Sequence, residues 1–244
     1  MPDYVVRYGA MRFLGVFSAS AGREYRRGTK VVARTDRGLE AGEVLCEATP
    51  ETLAQLRDPG AGQILREMMP EDLNELGRIQ QQARAEMETC QQHVDRLGLG
   101  MQLVDVEHIF GGERVVVYYL SESRVDFREL IRTLAGEFQT RIEMRQIGVR
   151  DEAKLLADYG DCGCPVCCNN HLVQMPPVSM RMAKLQKATL DPTKISGRCG
   201  RLKCCLRYEY ETYEQLQQLR KDEPPKAEND ETQIASDDII NPKS

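Results

Sequence analysis

Seven cysteines within the segment Cys162 to Cys205 constrain this chain more than any other feature of its sequence. They fall in two stretches, DCGCPVCCNN (Cys162, Cys164, Cys167, Cys168) and GRCGRLKCCL (Cys199, Cys204, Cys205), which share the spacing Cys-Gly-x-x-x-Cys-Cys. A pattern used twice needs a shared cause, and the thiolate, a soft ligand, narrows the choice. Four thiolates around one point suit tetrahedral Zn²⁺ or an iron–sulfur cluster. The glycine after the first cysteine, Gly163 or Gly200, lets the backbone fold close around sulfur. The four-residue interval lies at the upper edge of zinc-ligand spacing and also occurs in plant-type ferredoxins, so spacing alone leaves both open. Adjacent side chains rarely both reach one ion, and the doublets Cys167-Cys168 and Cys204-Cys205 therefore leave spare thiols. A redox switch through thiol exchange and plain packing remain open as other uses.

The compartment bears on that choice. No apolar run approaches the roughly 20 residues needed to span a bilayer. The opening MPDYVVRYGAMRF carries an acid and arginines where a signal peptide would need a continuous apolar stretch. The expectation is a cytoplasmic protein without membrane insertion, where reducing thiol pools disfavour structural disulfides and favour metal or redox chemistry. Cys46 and Cys90 sit in apolar patterns away from the motifs and are expected in the core.

With 244 residues, 41% of them hydrophobic, the chain can bury one good core or two small ones, and two is the preferred division. The fold class is α+β. Residues 1–49 read as short strands, DYVVRY, MRFLGVFSA, TKVVARTD and EAGEVLCEA, suggesting a small barrel-like β-domain. Residues 50–100 read as a helical arm: a piece at Glu51–Arg57, a break at Asp58-Pro59-Gly60, a second helical piece ending before Pro70, then one long helix. In that helix Leu73, Gln80, Met87 and Val94 recur every seven residues, interleaved with Leu76, Ala83, Cys90 and Leu97. This face suits either the protein's own core or docking of another protein. Residues 101–150 read as a β-β-α-β unit, with a turn at Gly111-Gly112 and a helix capped by Asp126 that presents Phe127, Leu130, Ile131, Leu134 and Phe138. Residues 151–220 form the Cys-rich basic module, and 221–244 an acidic, proline-containing tail expected to be disordered.

Net charge is −5, but Val178 to Tyr208 holds eight basic residues against the single acid Asp191. The histidines His93, His108 and His171 offer little for catalysis: only His171 is near the thiols, and no phosphate-cradling glycine loop occurs. A non-enzyme is expected.

The run RVDFRELIRTLAGEFQTRIEMRQIGVRDEAKLL, then CGCPVCC, then MAKLQKATLDPTKISGRCGRLKCCLRYEYETY resembles the RicT/YaaT family, which carries a polymerase-suppressor-type C-terminal domain. The similarity extends from about Tyr4 to Tyr213 and is most specific in KISGRCGRLKCCLRYE. The resemblance implies a cytoplasmic, non-catalytic regulator that binds [4Fe–4S] clusters and works with small helical proteins of the RicA and RicF type. Such a complex steers ribonuclease Y in mRNA processing, affecting sporulation, competence and biofilm formation. The family's cysteines fall on Cys162, Cys167, Cys168, Cys199, Cys204 and Cys205, while Cys164 stands where the family motif has Arg and is an extra potential ligand. The alternatives are a zinc-stabilised RNA-binding protein acting alone and a thiol redox switch. Lys194, Arg198, Arg201, Lys203 and Arg207 then either contact RNA phosphates or neutralise an anionic cluster, and the second use is preferred because Arg198, Arg201 and Lys203 are interspersed with the ligands.

Overall fold

The computed structural model describes residues 2–20, 22–56, 58–156, 159–170, 172 and 176–222. His171 and the tail from 223 onward lie outside the described residues. The N-terminal strands β1 (Asp3–Tyr8), β2 (Phe13–Ser18), β3 (Lys30–Thr35) and β4 (Gly38–Glu47) precede a short helix α1 (Pro50–Gln55) and a fifth strand β5 (Gly60–Glu67). They close into a barrel in the order β1-β2-β5-β3-β4. Period-two alternation turns Tyr4, Val6, Tyr8, Phe17, Val31, Ala33, Val44 and Ile64 inward as its core.

Strand β5 corrects the expectation of a second helical piece before Pro70. It runs parallel to β2 and antiparallel to β3, filling the gap that the earlier strands leave between them. Gly62 makes this closure feasible: a Cβ there would lie 2.5 Å from the Arg34 carbonyl oxygen and from the Phe17 ring. Cys46 is a second correction. It is exposed, whereas Cys90 is fully buried. The β1–β4 register shifts between Val5 and Val6, opposite Cys46 and Val44, and this bulge breaks the alternation that would have turned Cys46 inward.

Helix α2 (Pro70–Arg96) leads into β6 (Gln102–His108), β7 (Arg114–Leu120), α3 (Arg128–Phe138) and β8 (Arg141–Gln146). The sheet order is β6-β7-β8, with β7 antiparallel to β6 and parallel to β8. Its central strand, RVVVYYL, is buried on both faces, which explains its continuous apolar run. Val115, Val117 and Tyr119 pack with Cys90 and Val94 of α2 and Leu130 and Leu134 of α3. Val116 and Tyr118 face the other way, toward Met11, Ala10 and Phe13 at the barrel. Burial pushes the Cys90 thiol up to about 12, so this cysteine behaves as a core side chain.

The heptad face of α2 divides along its length. Met87, Cys90, Val94 and Leu97 join the sheet core, whereas Leu73 is 48% exposed. Asp126 does not cap α3 as the N-cap residue, which is Phe127, but its Oδ1 accepts from the Arg128 N–H at 3.2 Å. Among the described residues no helix is long and apolar enough to cross a membrane.

The C-terminal module follows with α4 (Val149–Leu156), α5 (Cys167–Asn170), α6 (Met180–Leu185), α7 (Pro192–Ile195), α8 (Cys205–Tyr208) and α9 (Tyr210–Asp222). The expected turn DPTKISG contains the one-turn helix α7, whose N-terminus is capped by Asp191 accepting from Thr193 N–H at 3.0 Å. Among the described residues of this module the buried apolar side chains are few: Ala153, Val166, Ala183, Ile195 and Leu206. Small units with so slight a core depend on a cross-link, a metal or a partner for stability.

Candidate metal centre

Each cysteine motif is one copy of the same turn. In the first, Gly160 N–H donates to Cys164 C=O at 2.8 Å and Gly163 N–H to Gly160 C=O at 3.0 Å. In the second, Gly197 N–H donates to Arg201 C=O at 2.8 Å and Gly200 N–H to Gly197 C=O at 2.9 Å. A single antiparallel bridge closes each turn, Tyr159 with Pro165 and Ser196 with Leu202. The glycines after the first cysteines have φ +76° (Gly163) and +70° (Gly200), the left-handed conformation that glycine adopts without a Cβ penalty. A short helix then starts at the doublet in both copies, α5 at Cys167 and α8 at Cys205. The repeat is therefore Gly-x-Cys-Gly-x-x-x-Cys-Cys, longer than the thiol spacing alone indicates.

The two turns face one another across a cleft with about 200 Å³ of room. Cys162, Cys167 and Cys168 line it from one side and Cys199, Cys204 and Cys205 from the other. Cys164 is exposed and is not among the lining residues; its place in the second copy is taken by Arg201. Burial pushes the Cys167 thiol up to about 11, with Cys204 and Cys162 adding to the shift. The thiols of Cys168, Cys204 and Cys205 are raised as well, burial again being the main cause, and Cys199 and Cys168 act respectively on Cys168 and Cys204. The cysteines of the two copies thus perturb each other. Among the described residues, no three His, Cys, Asp or Glu side chains are drawn together into a ligand shell.

The charge around the cleft is only partly as expected. Arg198 and Lys203 line it, and both reach Asp161, at 3.5 Å each. Lys194, Arg201 and Arg207 are not among the lining residues; Lys194 and Arg201 are exposed, and the Arg207 guanidinium lies 6.0 Å from the Tyr210 ring centre. Helix α4 supplies cationic groups that sequence reasoning missed. Arg150 lines the cleft, and Lys154, whose pKa burial lowers, interacts with Cys168. The barrel also reaches this module, through Arg12 Nη1 donating to Asn169 C=O at 3.2 Å. No motif marks Arg150, Lys154 or Arg12, because only the tertiary fold brings them to the thiols.

Soft sulfur donors beside guanidinium and ammonium groups fit an anionic thiolate-bound metal group better than a hard cation, which would select carboxylates and carbonyls. Six thiols exceed the four that a cubane iron–sulfur cluster or a structural zinc requires.

Comparison with known proteins finds two family matches and related sequences. The PSP1 C-terminal conserved region matches residues 62–147, and the third domain of PSP1-like proteins matches residues 177–220. Stage 0 sporulation protein YaaT of Bacillus subtilis is 43% identical over 188 residues, which is 75% of this chain and 66% of that protein. The chain belongs to the YaaT family. The aligned stretch thus spans slightly less than two thirds of this YaaT relative. An uncharacterized protein of Schizosaccharomyces pombe is 33% identical over 81 residues, 33% of this chain and 11% of that protein. No solved structure matches the chain. The second PSP1 segment includes the second cysteine turn and most of helix α9, so the PSP1 relationship reaches the metal-site candidate as well as the sheet.

Proposed function

We propose that this YaaT-family chain is a non-catalytic, sporulation-related regulator that holds an iron–sulfur cluster, a [4Fe–4S] cluster, between its two cysteine turns. Six thiols lining one cleft, with Cys164 left outside, carry this reading. Cys162, Cys167, Cys168, Cys199, Cys204 and Cys205 are the ligand pool, and Arg150, Arg198 and Lys203 offset the charge of a thiolate-bound cluster. When bound, such a group cross-links the two turns and supplies the stability that the small apolar core of the module lacks.

In this reading the chain acts in the cytoplasm as an adaptor, assembled with small helical proteins of the RicA and RicF type, and modulates mRNA processing by ribonuclease Y. The resemblance to the RicT/YaaT family supports the partners. The half-exposed N-terminal part of α2 and the apolar residues Tyr213, Leu216 and Leu219 along α9 supply helical surface for such contacts.

Anaerobic purification followed by iron, acid-labile sulfide and zinc analysis tests the cofactor. Brown protein with equal iron and sulfide is the expected result. Colourless protein with stoichiometric zinc overturns it and favours a zinc-stabilised fold. Co-purification with the two small helical proteins, retained on size-exclusion chromatography, tests the adaptor role; failure of the cluster-loaded chain to co-elute with them overturns it.

A further inference from the structure

A larger cavity lies away from the cysteines, where β4, α2 and β6 meet, with about 610 Å³ of room. One wall is the helix α2, presenting Ile79, Ala83 and Met87 at helical spacing. The opposite wall is acidic, with Glu40 from β4 and Asp105 and Glu107 from β6. Glu88 lines it too and is exposed. Arg84, also exposed, is the only lysine or arginine among the described lining residues.

The carboxylates differ in what they already hold. Glu107 is fully engaged: Oε2 takes Arg37 and the Tyr118 hydroxyl, and Oε1 takes the Ala10 N–H at 2.7 Å. Glu40 is 2% exposed and half used. Its Oε1 accepts from the Thr35 hydroxyl at 2.6 Å and lies 3.7 Å from Arg37 Nε, while Oε2 takes no hydrogen bond from the described residues. Burial pushes the Glu40 carboxyl above the ordinary carboxylate range despite Thr35 and Arg37, and burial does the same to Asp105. Glu40 lines the cavity and its Oε2 is left to accept from a donor there, and a cationic donor makes the stronger hydrogen bond.

An aliphatic wall facing carboxylates selects a ligand with methylenes on one side and positive charge at intervals. We propose that this cavity binds a linear aliphatic polyamine, one ammonium donating to Glu40 Oε2 and the methylene run lying along Ile79, Ala83 and Met87. The site is separate from the cysteine cleft, and polyamine binding leaves the metal content of the chain unchanged. Because the ammonium favours the ionised carboxylates, binding lowers the proton affinity of Glu40 and Asp105.

Calorimetric titration of the full chain with spermidine tests this. The expected result is saturable binding to a single site, and no binding of 1,6-hexanediol, which has methylenes without charge. Ala83→Trp fills the cavity from the helix side and is expected to weaken binding by about tenfold or more, with the melting temperature retained. Glu40→Gln is expected to weaken it comparably; if that variant does not fold, Ala83→Trp decides. Absence of saturable spermidine binding, or binding that Ala83→Trp leaves intact, overturns the proposal, the latter placing the amine on the acidic surface at large.

Discussion

Asp161 and Arg198 stand at the same position in two copies of one turn, and they pair with each other, Oδ1 to Nε at 3.5 Å. Lys203 joins the same carboxylate, so the acid of the first copy meets two bases of the second. Asp161 and Arg198 are exposed and Lys203 is half-buried, and pairs at the surface contribute about 0–1 kcal/mol. Asp161→Asn is therefore expected to lower stability by less than about 1 kcal/mol. Because the positions are equivalent, the exchange Asp161→Arg with Arg198→Asp is expected to recover most of that loss. Urea titrations of the single and double variants check both statements.

The cleft separates Cys164 from its six neighbours. Cys164→Ser is expected to keep the metal content of the unaltered protein after anaerobic reconstitution, and Cys162→Ser to lower it. Iron and sulfide analysis distinguishes them, and an equal fall in both variants sinks the division into six thiols and one. Raised thiols such as Cys167, at about 11, must lose protons to bind metal. Loading is accordingly expected to grow as pH rises across the neutral range, measured as metal retained against a competing chelator corrected for its own protonation.

Gly163 and Gly200 share a left-handed conformation, and a Cβ at either would meet nothing within 4 Å. Substitution by Ala therefore tests backbone strain without a clash. Each of Gly163→Ala and Gly200→Ala is expected to cost about 1–2 kcal/mol of module stability. Similar losses for the two variants, read by urea unfolding, follow from the equivalence of the turns.

Barrel closure depends on a residue outside the strands that sequence reasoning placed there. Ile64 of β5 is fully buried in the barrel core. Ile64→Ala is expected to cost about 2–5 kcal/mol, whereas alanine at the exposed Leu53 of α1 is expected to cost little. Equilibrium unfolding followed by far-ultraviolet circular dichroism measures the contrast.

The start of α2 has an acid-sensitive contact. Asp72 accepts from Met69 N–H at 2.8 Å and from Arg66 of β5, Nη2 to Oδ1 at 2.8 Å. The Arg66 hydrogen bond is the main cause, with the Met69 amide second, of a pKa lowered from 3.8 to about 2. A depressed carboxylate contributes stability that is complete above its unfolded pKa and lost as pH falls through the folded one. Asp72→Asn is expected to remove that part of the acid dependence between about pH 4 and 2, seen as a shallower fall of melting temperature in that window.

Much of the fold was legible because local patterns carried it. Alternation marked β1 to β4, and the stripe from Phe127 to Phe138 marked α3 as a helix on a sheet. The failures have physical reasons. Residues 60–67 lack an alternation strong enough to announce a strand, and they pair because β2 and β3 leave an open edge. Cys46 looked like a core residue because a bulge cannot be read from alternation. The heptad on α2 was visible, but which half would be covered depends on where the sheet ends beneath it.

For the site, the sequence by itself determined the candidate donors: thiols at a repeated spacing, glycines able to take a left-handed turn, and an unmatched Cys164. Local interactions are sufficient for that, since each turn is closed by hydrogen bonds within a few residues of its own cysteines. Only the tertiary structure decided that the turns face each other, that Arg150 and Lys154 of α4 join Arg198 and Lys203 beside them, and that Lys194, Arg201 and Arg207 stand apart. It alone also created the cavity between Glu40 and Ala83. These pairings join residues far apart along the chain, and they are set by which apolar faces must be covered together, a constraint that no local spacing records.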